Sequence, residues 1–65
     1  MRIHVNGKQR DVAAATLADL LRELDYCDRV VATALNQHFV RRQDRGSVNL
    51  KEGDAVEIVV PRQGG

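Results

Sequence analysis

The chain has 65 residues, of which 43% are hydrophobic and 29% are charged, a composition typical of one small globular domain. Ten Lys and Arg residues nearly balance nine Asp and Glu residues, so the net charge of +1 gives no electrostatic footprint for nucleic acid. The single cysteine, Cys27, excludes an internal disulfide, and no apolar run approaches the roughly 20 residues of a membrane span. We therefore expect a cytoplasmic protein that binds neither nucleic acid nor membrane.

The first segment predicts a β-hairpin. Ile3 and Val5 alternate with polar residues, Asn6-Gly7 follows, and a second alternating stretch ends at Val12. Asn-Gly is favoured at the centre of a type I′ turn because both central residues need positive φ.

A change of period then predicts one short amphipathic helix. Four leucines at helical spacing share one face: Leu17, Leu20, Leu21 and Leu24. Thr16 is a favourable N-cap, and Asp19 lies near the positive end of the helix dipole. Asp25 and Tyr26 end the pattern after about two and a half turns.

The second half of the chain predicts three further strands. Residues 29–40 contain two of them, with Asn36-Gln37 as the turn, and a polar loop with a turn of 3₁₀ helix follows. The turn Glu52-Gly53-Asp54 precedes the last strand, predicted from Val56 to Val60. Pro61 is expected to end the ladder, since it has no N–H group.

The predicted order is therefore β-β-α-β-β-β. A single amphipathic helix can bury its apolar face only against a sheet, which indicates an α+β fold with a mixed sheet packed on one side of that helix. The other face of the sheet is left for solvent or partners. We expect a domain over residues 1–60 and a flexible tail over residues 61–65 that ends in Gly-Gly.

The whole chain resembles the ubiquitin-like β-grasp sulfur carriers, and among them the ThiS-type carriers of thiamin biosynthesis. The resemblance is carried by the element order together with the motifs "ALNQHFV", "LKEGD", "VEIVVP" and the terminal "QGG". Members of this family commonly have proline where Arg41 stands and an aromatic residue near Arg45, and these departures bear on loop shape and partner fit. The family also places its last strand centrally, beside the first.

The resemblance implies a carrier that is a substrate of enzymes and catalyses nothing itself. A ThiF-like adenylating enzyme is expected to spend ATP on the carboxylate of Gly65, after which a sulfur donor such as a cysteine desulfurase provides the sulfur of a thiocarboxylate. This group is expected to serve a ThiG-like thiazole synthase. Gln63 and Gly64 are expected to thread a narrow channel, where a glycine has no Cβ to clash. The chain itself is expected to bind no cofactor.

Two groups of residues are candidates for partner docking. If Ile58 points to the helix, Val59 points away from it, and Phe39 is a second candidate for an apolar patch on the open sheet face. Packing in the core is the alternative for Phe39. Four arginines form a candidate basic patch, with an ordinary solvated surface as the alternative: Arg41, Arg42, Arg45 and Arg62.

Two other functions stay open at this point. The small subunit of molybdopterin synthase has the same tail chemistry, and a β-grasp interaction module would end in glycines only incidentally. Deleting Gly64-Gly65 should abolish a carrier and leave an interaction module intact. A metal site is not expected, because His4 and His38 lack partners at ligand spacing, and Cys27 is expected to be a passive thiol.

Overall fold

The structure is a computed structural model that describes residues 1–26 and 29–61. The elements in chain order are β1 (Arg2–Val5), β2 (Lys8–Asp11), α1 (Leu17–Glu23), β3 (Ala32–Leu35), β4 (His38–Val40), a 3₁₀ helix (Arg42–Ser47) and β5 (Ala55–Val59). The five strands form one sheet in the order β2-β1-β5-β3-β4. β1 and β5 are parallel, and the other neighbours are antiparallel. The predicted α+β fold with a mixed sheet and a central last strand is confirmed.

Both hairpins turn through two residues with positive φ. Asn6 and Gly7 have φ values of 51° and 84°, and Asn36 and Gln37 have values of 50° and 72°. Two successive left-handed residues are typical of a type I′ turn, whose twist matches that of the flanking strands. Asparagine adopts this conformation more readily than most residues. Both turns therefore lie where the sequence predicts them.

The helix begins after Thr16, as predicted, and its last residue is Glu23, with Leu24, the last leucine of the predicted pattern, as the C-cap. The Thr16 hydroxyl accepts a hydrogen bond from the Asp19 N–H at 3.1 Å, which satisfies one of the free donors of the first turn. At the other end Asp25 has a φ of 65°, and the Tyr26 N–H donates to the Leu21 carbonyl at 2.7 Å. The left-handed conformation of Asp25 turns the chain away from the helix, and the helix ends there.

The core lies between α1 and one face of the sheet. Its buried residues are Ile3, Val5, Val12, Ala14, Leu17, Leu20, Leu21, Val31, Val40, Leu50, Val56 and Ile58. The buried Thr33 hydroxyl donates to the Val40 carbonyl at 2.9 Å. Within the described residues, every buried side-chain polar atom has a hydrogen-bond partner. In this part of the chain the core side chains are apolar, and the buried polar side-chain atoms are all hydrogen-bonded.

The last strand differs from its prediction by one residue at each end. It runs Ala55–Val59 because Val59 pairs with Ala32, the first residue of β3, which leaves no residue of β3 for Val60. At the other end, the Asn36 side chain accepts a hydrogen bond from the Ala55 N–H at 2.9 Å. The hydrogen-bond ladder of β5 therefore ends where β3 begins, and Pro61 does not set its end.

Candidate functional site

The chain leaves the sheet from its central strand. β5 lies between β1 and β3, so it is held on both sides, and the segment that ends at Gly65 follows it directly. Pro61 is exposed. Five residues singled out from the sequence lie outside the described residues: Cys27, Arg62, Gln63, Gly64 and Gly65. The described part of the site is therefore the end of β5 and the sheet face around it.

The sheet face turned away from α1 carries exposed apolar side chains. Phe39 is 71% exposed and Val59 is 58% exposed, whereas Ile58 is only 4% exposed. The alternation predicted along the last strand is confirmed, since neighbouring strand residues point to opposite faces. Phe39 is not part of the core. An aromatic ring left this open is available to a partner surface.

The strand register places two alanines between these residues. Ala34 pairs with Phe39 on β4 and with Glu57 on β5, and Ala32 pairs with Val59. Paired residues lie on the same face of a sheet. The small alanine side chains therefore leave a shallow surface with Phe39 beside Ala34 and Val59 beside Ala32, and the exposed Glu57 lies on the same face on the other side of Ala34. We call Ala32, Ala34, Phe39 and Val59 the apolar face.

Arg41 lies at the border of the apolar face. It directly follows β4, and because Val40 pairs with Thr33, Arg41 is level with Ala32 at the end of the sheet where β5 ends. Its Nε atom is 3.0 Å from Asp44 Oδ2, in a pair exposed to solvent. An exposed pair of this kind is weak and easily exchanged for a partner's carboxylate.

Arg42 and Arg45 lie on a different side of the molecule from the apolar face. Together with Tyr26 and Arg29 they line a shallow cavity of about 340 Å³ near the end of α1. Arg45 Nε donates to the Thr33 hydroxyl at 3.0 Å, and its Nη2 donates to the Val31 carbonyl at 2.7 Å. The predicted basic patch is thus not one continuous surface among the described residues.

The Arg45 guanidinium holds the 3₁₀ helix against β3. Partial burial lowers the pKa of this group, and the nearby charge of Arg42 lowers the pKa further. Arg45 stands near the position where the resemblance leads one to expect an aromatic residue. Its hydrogen bonds to Thr33 of β3 and to Val31, the residue before β3, give the connecting segment a polar attachment.

We expect the Arg45→Leu variant to lose about 1–3 kcal/mol in free energy of unfolding, because the Val31 carbonyl loses a charged donor. Leucine retains apolar contact, so the loss reports mainly on the hydrogen bonds. Arg41→Gln is the matched control and should change stability by less than about 1 kcal/mol, since its ion pair is exposed. Urea unfolding measures both. Equal effects of the two substitutions would contradict the assigned role of Arg45.

No group of three His, Cys, Asp or Glu side chains able to hold a metal ion occurs within residues 1–26 and 29–61. In that same part of the chain, no helix is long and apolar enough to cross a membrane.

Comparisons with known proteins agree with this geometry. The sequence model of the ThiS family matches residues 3–65. The crystal structure of the thiamine biosynthesis protein ThiS from Geobacter metallireducens is similar with a TM-score of 0.84 and 32% identity, and the alignment covers 100% of both chains. An NMR solution structure of a thiamine biosynthesis protein from that organism gives a TM-score of 0.81 and 32% identity, covering 100% of this chain and 88% of the other. No curated protein matches the chain.

Proposed function

The chain belongs to the ThiS family of small sulfur carriers of thiamin biosynthesis, and we propose that the carboxylate of Gly65 is the group that carries the sulfur. One observation carries this proposal: the family match extends through Gly65, so the two terminal glycines belong to the matched sequence. They follow the central strand of the sheet. We propose that the segment following this strand brings the Gly65 carboxylate to a partner's active site.

The proposed chemistry begins with activation of a poor electrophile. A ThiF-like adenylating enzyme joins the Gly65 carboxylate to the AMP part of ATP and releases pyrophosphate. A persulfide sulfur, supplied by a donor such as a cysteine desulfurase, attacks the acyl carbon and displaces AMP. A second thiol then attacks the donor's sulfur in the resulting acyl disulfide, forms a disulfide with the donor and releases the thiocarboxylate on Gly65. ATP is bound by the partner, and this chain supplies only the reacting group.

Gln63 and Gly64 are proposed to thread the channel that leads to the ATP. Glycine presents no Cβ to a narrow wall and adopts φ values of either sign, so Gly64 lets the terminal carbonyl turn to the angle of attack. The thiocarboxylate is proposed to donate its sulfur to a ThiG-like thiazole synthase, which builds the thiazole ring of thiamin.

The apolar face is proposed to dock the adenylating enzyme. Its Ala32 and Val59 lie at the level where β5 ends, and Phe39 lies beside Ala34 at the level of Glu57, so a partner seated on this face lies next to the start of the tail. Arg41, at its border, and Arg62, which follows Pro61 in the sequence, are the arginines we assign to this contact. Arg42 is a candidate docking residue only for a partner that also contacts the side of the protein on which α1 lies.

We expect Phe39→Ala to raise the KM of the adenylating enzyme for this chain by roughly tenfold, because truncating an exposed aromatic anchor costs about 1.4 kcal/mol of binding. Thermal stability should stay unchanged, since the side chain is 71% exposed. Val30→Ala is the control, because Val30 is 79% exposed and lies outside the sheet. An unaltered KM for Phe39→Ala would remove the apolar face from the docking surface.

Family membership favours thiazole synthesis over the molybdopterin pathway and over an interaction module. The direct test offers the thiocarboxylate form of this chain to thiazole synthase and, separately, to the large subunit of molybdopterin synthase. We expect sulfur transfer with thiazole synthase alone. Transfer only to the molybdopterin enzyme would overturn the assigned pathway and keep the tail chemistry, whereas transfer to neither would favour the interaction module.

A further inference from the structure

We infer that Asn6 is a positioning residue for the sulfur-carrier chemistry: its side chain fixes the end of β5 from which the tail leaves the sheet. The inference rests on the proposed role of Gly65. It follows from a pair of hydrogen bonds between a turn residue and the central strand, far from the turn in sequence.

Asn6 continues the parallel pairing of β1 and β5 after the backbone of β1 has turned away. The Asn6 N–H still donates to the Val56 carbonyl at 2.9 Å, as in a parallel ladder. The next bond of such a ladder would run from the Ile58 N–H to the Asn6 backbone carbonyl. With φ at 51°, Asn6 has entered the turn, and its side-chain Oδ1 accepts that hydrogen bond instead, at 2.8 Å.

The same side chain also holds the carbonyl of Ile58. The Asn6 Nδ2 donates to this oxygen at 3.1 Å, so both backbone polar groups of Ile58 are bound by one amide. An N–H needs an acceptor and a carbonyl needs a donor, which fixes the orientation of the Asn6 amide. Neither Asp nor Gly in this turn would supply both groups.

Asn36 provides the same kind of contact at the opposite end of β5. It is the first residue of the β3–β4 turn, its N–H donates to the Ala55 carbonyl at 2.7 Å, and its Oδ1 accepts from the Ala55 N–H at 2.9 Å. Its Nδ2 donates to Asp54 Oδ1 at 3.1 Å. The two turn asparagines thus hold β5 at its two ends, and only Asn6 lies near the start of the tail.

Asn6 holds the end of β5 that precedes the tail. The backbone register of β1 with β5 stops at Val56, whereas β3 accompanies β5 to Val59. Among the described residues, the Asn6 side chain is therefore the last hydrogen-bond partner of β5 on the β1 side. Without it, the last residues of β5 are held from one side only. A reacting carboxylate loses rate steeply when its position is less well defined.

The test compares Asn6→Gly with Asn36→Gly. Glycine adopts positive φ without strain, so each variant keeps its turn and loses only the side-chain bonds to β5 or its flank. We expect both variants to lower the melting temperature to a similar extent. Adenylation by the cognate enzyme should separate them: kcat should fall roughly tenfold for Asn6→Gly and less than twofold for Asn36→Gly.

The split between kcat and KM distinguishes positioning from loss of folded protein. Partial unfolding raises the apparent KM of both variants, whereas a misdirected tail lowers kcat for Asn6→Gly alone, with the apolar face intact. Amide exchange at Ile58 should also be faster in that variant. If Asn6→Gly does not fold, Asn6→Asp serves instead: it keeps an acceptor for the Ile58 N–H, loses the donor, and should show a smaller fall in kcat.

Two results would overturn the inference, and they have different meanings. Equal kcat values for Asn6→Gly and Asn36→Gly, with the unaltered chain fully active, would reduce Asn6 to a stabilising residue and leave the role of Gly65 standing. An unaltered chain that the adenylating enzyme does not activate at all would overturn the proposed function itself, and this inference with it.

Discussion

Removal of Gly65, or addition of one alanine after it, is expected to abolish thiocarboxylate formation while the protein stays folded. Deletion shortens the tail and moves the carboxylate to Gly64, and addition moves it one residue farther out. The reaction depends on near-attack geometry, so a displacement of a whole residue removes the reacting group from the AMP site. The core residues lie between Ile3 and Ile58, so the melting temperature should not change. Mass spectrometry and thermal unfolding measure the two quantities.

A third variant, Gly65→Ala, is a control that should reduce the rate of thiocarboxylate formation without abolishing it. Gly65→Ala keeps the tail length and the carboxylate but adds a Cβ and restricts φ, so its rate should fall by roughly a hundredfold without vanishing. Full activity of the chain extended beyond Gly65 would contradict the proposal that its carboxylate reacts. Full activity of Gly65→Ala alone would contradict only the proposed narrow channel.

The second large effect is expected in the core. Leu20 is fully buried in the centre of the leucine face of α1, and Leu20→Ala should lower the free energy of unfolding by about 2–5 kcal/mol. A domain of 65 residues has a total stability of only about 3–10 kcal/mol, so much of the population should unfold near physiological temperature. Urea unfolding measures the loss, and the apparent KM for adenylation should rise with the unfolded fraction.

Leu24→Ala is the matched control on the same helix face. Leu24 is the C-cap residue and is only partly buried, so the same truncation should cost clearly less than it does at Leu20. Similar losses at the two positions would contradict the assignment of Leu20 to the centre of the core. A normal kcat for the folded fraction of Leu20→Ala is also expected, since the helix lies on the other side of the sheet from the apolar face.

Features set by local chemistry could be predicted from the sequence. Asn6-Gly7 favours a hairpin turn because positive φ is a property of those two residues, and Thr16 caps the helix through an N–H only three residues away. The exposure of Val59 follows from the alternation of β5 once Ile58 is buried. From the sequence alone Phe39 could be exposed or buried, because β4 is too short for its alternation to decide between the two.

Features that depend on distant partners could not be predicted. The end of β5 is set by Ala32, where β3 begins, and the proline signal nearby suggested a later end. Arg41 and Arg42 are adjacent in sequence, yet the start of the 3₁₀ helix sends them to different sides of the protein. The link from Asn6 to Ile58 spans 52 residues, so nothing in the local sequence signals it.

The most direct test of the central claim is the intact mass of the purified protein before and after incubation with its adenylating enzyme, ATP and a sulfur source. We expect a gain equal to the replacement of one oxygen atom by sulfur, located in the peptide that ends at Gly65. An unchanged mass, with an enzyme shown to be active on its own carrier, would contradict the assignment of Gly65 as the carrier residue.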